Sequence, residues 1–244
     1  MATFVLVHPA WFGSWCWRDV TAALNAAGHD VYAPALTGLG ERAHLLNRDI
    51  TLATHVQDVV DEIASKDLHD IILVGNSSGG TVITAVADRV PDLIGGLIYL
   101  DAFVPADGES TSSLIPPDRW EQLKQFADAE GDGWLLPRWA PMPWENIVRD
   151  IWRVHDETKF QWVVSELRPT PLTHFTDAVS LVNTDRLHAH RAYIRCRTSP
   201  APFDKPAAIA ESSPDWTYRE RPWSHIPFIT QPEELAELLL EVCT

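Results

Sequence analysis

Ile71-Ile72-Leu73-Val74-Gly75-Asn76-Ser77-Ser78-Gly79-Gly80 decides how this chain is read. Four apolar residues in a row predict a buried strand. Gly75 to Gly79 then matches G-x-S-x-G, and residues 81–89 carry apolar side chains at helical spacing. The glycines let the backbone turn without Cβ clashes. Strand, tight turn and helix would hold Ser77 in a strained conformation with its Oγ above the sheet. The positive N-terminal end of the helix would face an anion forming there. The plain alternative is an ordinary Gly-Ser turn. The flanking strand and helix, and Gly80 for close packing, favour a nucleophilic serine.

Outward from this stretch, strands and helices alternate. Residues 3–7, 30–34, 94–103, 192–196 and 216–220 read as strands; residues 19–27, 51–65 and 233–242 read as helices. This rhythm predicts an α/β fold, a mostly parallel, doubly wound sheet with helices on both faces. It breaks at about residues 104–187, which hold six tryptophans, a proline-rich piece at 137–143 and helical patterns at 118–129 and 144–154. A structureless loop of that length is improbable inside a compact domain. The segment is read as a small helical cap inserted into a single domain, with the core at about 1–103 and 188–244.

A net charge of −15 argues against nucleic acid, anionic membranes and strongly anionic substrates. Cys16, Cys196 and Cys243 are odd in number and lack metal-ligand spacing, which suits a reducing compartment. A strand opening at residue 3 leaves no room for a signal peptide, and no apolar run reaches membrane-spanning length. A cytoplasmic protein with a small-molecule substrate, no metal and no cofactor is expected. A homodimer is compatible with these features and not fixed by them.

The whole chain resembles the α/β-hydrolases. More narrowly, it is similar to the small-capped branch of plant hydroxynitrile lyases, salicylate-binding-type methyl esterases and bacterial esterases. The resemblance rests on residues 4–8 with Trp15-Cys16-Trp17, 36–44, 75–80, 100–105, 193–196 and 225–239. It extends faintly to bacterial esterases that split aryl carbamates, the carbendazim-hydrolase type. It implies a triad in the chain order Ser, Asp or Glu, His. Among ten histidines, His225 stands where this fold places its base, just before the last helix. His8 is expected to be structural, and His188 and His190 come too early.

The acid is the open position. Relatives carry it after the strand at 192–196, where Arg197-Thr198-Ser199-Pro200-Ala201-Pro202-Phe203-Asp204 offers Ser199 at the expected place and Asp204 late. Asp101 ends an otherwise apolar strand, where a charge is costly unless paired, and a histidine would pair it. Asp101 is preferred, Asp204 comes second, and a dyad without an acid is third. The oxyanion hole is expected from backbone N–H groups of Ala10 and Ser78. Pro9 stands where relatives have glycine. Trp11 and Phe12 should crowd the site, and Trp139 and Trp144 of the cap should line a flat apolar pocket. The expected activity is a serine hydrolase acting on a small, neutral, aromatic ester or carbamate through an acyl-enzyme. A hydroxynitrile lyase is demoted because no lysine lies near His225. A receptor with little turnover is the alternative of a different class.

Overall fold

Long apolar runs become the strands of the computed structural model, which describes residues 1–186, 188–199 and 202–243. Leu187, where the sequence reading ends the cap, and Pro200 and Ala201, in the loop that holds the second-choice acid Asp204, lie outside the described residues, as does Thr244. The strands are β1 (Thr3–Val7), β2 (Asp30–Tyr32), β3 (Ile71–Ser77), β4 (Ile94–Ala102), β5 (Leu135–Leu136), β6 (Thr170–Pro171), β7 (His190–Cys196) and β8 (Trp216–Arg221). Six of them form one sheet in the order β2-β1-β3-β4-β7-β8, every neighbouring pair parallel. β3, buried at every residue, sits near its centre. The strand order reverses between β1 and β3, and ligands of open parallel sheets bind at the carboxyl ends beside such a switch.

Both faces are covered, so these strands need no polar alternation. On one face α1 (Arg18–Ala26) and the last helix pack together, burying Val20, Leu24, Leu235 and Leu239 with Phe4, Leu6, Ile72 and Val74. On the other, α2 (Leu52–Ser65) and α3 (Gly79–Arg89) bury Val56, Val59, Val82 and Val86 with Val5, Val7, Leu73 and Leu97. α2 opens on a capping box, with Thr51 Oγ1 accepting from Thr54 N at 3.2 Å. α3 begins two residues before the apolar spacing suggests. Its first turn is Gly79-Gly80, whose backbone carries the signal that side-chain periodicity lacks.

The cap holds α4 (Thr111–Leu114), α5 (Pro117–Glu130), α6 (Trp144–Asn146), α7 (Glu157–Glu166) and α8 (Thr173–Thr176). Two expectations about it need correction. It is not purely helical, because β5 and β6 pair antiparallel; two-residue strands are too short to show alternation. The helix expected at 144–154 is α6 followed by a single π-turn, Ile147–Ile151. Leu123, Phe126, Val148, Phe160 and Val163 of the cap join the same apolar cluster as Phe4 and Leu100, so cap and sheet share a core. Each such side chain contributes roughly 1.5–3 kcal/mol on burial. α9 (Asp204–Ser212), α10 (Pro227–Thr230) and α11 (Pro232–Val242) complete the chain. No helix among the described residues is long and apolar enough to cross a membrane.

Candidate active site

β3 ends on Ser77, whose φ of 55° lies in the left-handed region. For a residue with a Cβ this costs about 1–3 kcal/mol and persists only where the surroundings enforce it. Here they do so by backbone contact. A Cβ on Gly75 would lie 2.6 Å from Gly79 O, and one on Gly80 would lie 2.2 Å from Phe103 O. Ser77 is thereby pushed up at the mouth of the sheet. It is 8% exposed, and its Oγ has no hydrogen bond to a described residue.

His225 comes from the loop between β8 and α10. Its Nδ1–H donates to Asp101 Oδ2 at 2.7 Å, which leaves Nε2 as the free nitrogen. The imidazole stacks on Phe203, 5.2 Å between centroids with planes 13° apart. Asn76 Nδ2 donates to Leu100 O at 2.8 Å and His225 O at 3.2 Å, so the residue before Ser77 braces the backbone of His225. His225 and Ser77 line one cavity without a hydrogen bond between them. In ligand-free enzymes such contacts are often long and tighten only on substrate binding.

Asp101 is aimed by a bulge. Asn76 pairs with Leu100 and Ser77 with Ala102, so Asp101 is an extra residue on β4, at a φ of 45°. Such bulges redirect a side chain beside a site. The carboxylate is fully buried and would be prohibitively costly alone. Arg195, on β7, donates from Nη1 to its Oδ1 at 2.5 Å, and Cys196 N–H donates to the same oxygen at 3.1 Å. Arg195 also reaches Asp204 Oδ1 from Nη2 at 2.9 Å. Burial pulls the guanidinium's pKa down, but the two carboxylates hold it above the usual arginine value. Asp204 is therefore the outer end of a line of alternating charge. Its side chain is 85% exposed, and it makes no hydrogen bond to His225.

The expected oxyanion donor, Ala10 N–H, donates at 2.9 Å to Ser78 Oγ. Ser78 Oγ also meets His174 Nε2 at 2.9 Å. His8 is structural in its contacts: Nδ1–H donates to Pro9 O at 3.0 Å and Nε2 accepts from Leu36 N–H at 3.2 Å. Burial pushes its pKa down to about 4.

A narrow cavity lies above Ser77 and His225. Trp11, Phe12, Trp139, Trp152 and Phe203 wall it with aromatic faces, and Ser199 is among its few polar residues. Trp144, expected in the lining, stands behind it, its ring 6.1 Å from Trp11 and 5.8 Å from Trp152. Trp152 takes the place assigned to it. Arg195, Asn76, His174 and Trp152 are the residues the sequence reading missed. A usable signal existed for Arg195: a charge in an apolar strand, the same signal that marked Asp101.

The model of the Alpha/beta hydrolase family matches residues 4–238. The chain is 39% identical to the "Carbendazim hydrolyzing esterase" of Nocardioides sp. (strain SG-4G), covering 98% of each. It is 27% identical to the "Putative methylesterase 14, chloroplastic" of Arabidopsis thaliana, covering 98% of this chain and 71% of that one. Among solved structures it superposes at a TM-score of 0.86 on an extracellular alpha/beta-hydrolase from a Paenibacillus species, described as sharing structural and functional homology with Tobacco Salicylic Acid Binding Protein 2. That pair is 27% identical, covering 100% and 99% of the two chains.

Proposed function

The chain belongs to the alpha/beta hydrolase family, and from that premise we propose that it is a serine hydrolase of small, neutral, aromatic esters or carbamates. The observation that carries the reading is the 2.7 Å bond from His225 to a buried, arginine-paired Asp101, in a cavity shared with a left-handed serine. Serine needs an adjacent base to be nucleophilic at neutral pH. His225 Nε2 takes the Ser77 proton as Oγ attacks the substrate carbonyl. Asp101 fixes the tautomer and stabilises the imidazolium that forms. The tetrahedral oxyanion is held by the N–H groups of Ala10 and Ser78. In the free enzyme the Ala10 N–H rests on a neutral hydroxyl, and a charged oxygen is a much stronger acceptor for it. His225 then protonates the leaving group, and water, activated by the same histidine, releases the acyl group.

The carbamate half of the reading rests on the 39%-identical carbendazim-hydrolysing relative and on the cavity walls. Trp11 and Phe12 flank the Ala10 donor, and this crowding favours a small acyl group such as acetyl or methoxycarbonyl over a long chain. Trp139 and Trp152 offer faces for an aromatic partner, worth about 0.5–1.5 kcal/mol per good ring pair beyond burial. No lysine lines the cavity among the described residues, so a lyase is not favoured. We also read the chain as one domain with its cap at about 104–187, acting without cofactor. Its three free cysteines suit a reducing, cytoplasmic setting.

Labelling with a fluorophosphonate and a chain-length series of aryl esters, with a methyl aryl carbamate alongside, test this reading. Ser77 should carry the label, and activity should be highest on acetate or methyl carbamate. A label on another residue removes the serine-hydrolase assignment. Activity that peaks at eight or more carbons, with none on acetate or carbamate, removes the pocket model.

A further inference from the structure

Trp11 has a φ of 69°, an outlier for a bulky residue. It follows Ala10 directly, so whatever holds Trp11 also aims the Ala10 N–H. Three hydrogen bonds hold it, all from the cap. Trp11 N–H donates to Thr170 Oγ1 at 2.7 Å, its Nε1–H donates to Leu136 O at 2.9 Å, and its carbonyl accepts from Arg168 N–H at 3.0 Å. Thr170 is fully buried on β6, within the cap.

Four residues further on, His174 grips the other side of the same donor. Its Nε2 meets Ser78 Oγ, and its Nδ1 lies 2.8 Å from Nδ1 of His55. His55 Nε2 reaches Thr37 O at 2.9 Å. The proton positions follow from the far end. A carbonyl only accepts, so His55 Nε2 carries the hydrogen and its Nδ1 accepts. His174 Nδ1 must then donate, which leaves Nε2 an acceptor for the Ser78 hydroxyl. Ser78 Oγ is thereby turned to accept from Ala10 N–H. Both rings are neutral in this arrangement, and burial lowers the pKa of each.

We propose that Thr170 and His174 are positioning residues for the oxyanion hole, clamping the Ala10 N–H from its two sides. This rests on the Ser77 mechanism above. Neither residue touches substrate. Each acts through a neighbour, Thr170 through Trp11 and His174 through Ser78. The cap is then more than a cover for the pocket, because it carries the parts that set the geometry of charge stabilisation.

The test uses the full-length enzyme on p-nitrophenyl acetate, with rates expressed per fluorophosphonate-titrated site so that misfolded material drops out. Thr170→Val keeps the shape and removes the acceptor; Thr170→Ser restores it. His174→Phe removes the acceptor for Ser78, and His174→Gln supplies an amide oxygen near the position of Nε2. Removing a whole oxyanion donor costs about 10²–10³ in kcat, so misplacing one should cost about 10–100-fold in the Val and Phe variants. KM should move little, Ser should recover nearly all of the loss and Gln part of it. Inhibition by an aryl trifluoromethyl ketone should weaken in parallel with kcat/KM, which a purely structural role would not produce. Where His174→Phe fails to fold, the Thr170 pair decides. Thr170→Val at wild-type kcat per titrated site overturns the proposal while leaving Ser77 as nucleophile. Label on a residue other than Ser77 overturns the mechanism itself.

Discussion

Two neighbouring serines each belong to a serine–histidine system, and the two systems end differently. From the cavity that Ser77 shares with His225, one line runs from His225 to Asp101, then Arg195, then the exposed Asp204. It is a chain of alternating charge from cavity to surface. The line from Ser78 runs through His174 and His55 to the carbonyl of Thr37, and both imidazoles are fully buried. A carboxylate at the far end can stabilise an imidazolium, which is why His225 is the proposed proton acceptor. A backbone carbonyl at the far end offers only a dipole in a site that penalises charge. The contrast teaches that a serine beside a histidine is not thereby a nucleophile. What terminates the line, and whether substrate reaches it, decides between reacting and holding.

The largest effect that would break this contrast concerns the serines themselves. Ser77→Ala should lower kcat by about 10⁴-fold or more, the scale of losing a triad nucleophile. Ser78→Ala removes only the hydroxyl that seats the Ala10 N–H and should cost about tenfold, less than loss of a whole donor. Equal losses in steady-state assays would mean that the two lines are not different in kind.

The two ends of the charged line come next. Asp101→Asn should reduce kcat by about 10³–10⁴-fold, because an amide can select the wrong imidazole tautomer. Asp204→Asn should stay within about twofold, since Asp204 is exposed and makes no bond to His225. A steep loss in the Asp204 variant alone would move the acid to the loop after β7.

The buried line should report in stability rather than rate. His8, His55 and His174 are held neutral, with folded pKa values below the ordinary 6.5. Below pH 6.5 the unfolded chain therefore binds more protons than the folded one, and stability falls as pH drops. For His8, at about 4, the loss is complete near that pH and amounts to about 3 kcal/mol. Urea unfolding between pH 7.5 and 4.5 should show this slope. A flat free energy would mean that these imidazoles are not shielded as their burial implies.

The sheet and elbow were legible because their signals are local: apolar runs, and glycines packed against backbone. The contact of Asp101 with a histidine was legible through the cost of a charge at the end of an apolar strand. Arg195 sends the same signal from β7, but its partner sits on another strand, and only the sheet brings the two together. His174 and His55 were not legible, since their contact joins residues 119 apart and nothing nearby in sequence marks either. Trp144 and Trp152 exchanged places because an irregular cap has no periodicity that fixes which face of a turn points inward.

The bulge at Asp101 has an outcome for how such a protein can diversify. With Asp101 on β4 as the proposed acid, the loop after β7 is free of that duty. Here Ser199 and Phe203 from that loop serve as wall, and Phe203 lies flat on His225. On the proposed mechanism, substrate range can therefore be reshaped from the Ser199 end of this loop, by mutation in nature or by design in the laboratory, while the Phe203 ring keeps its place against His225.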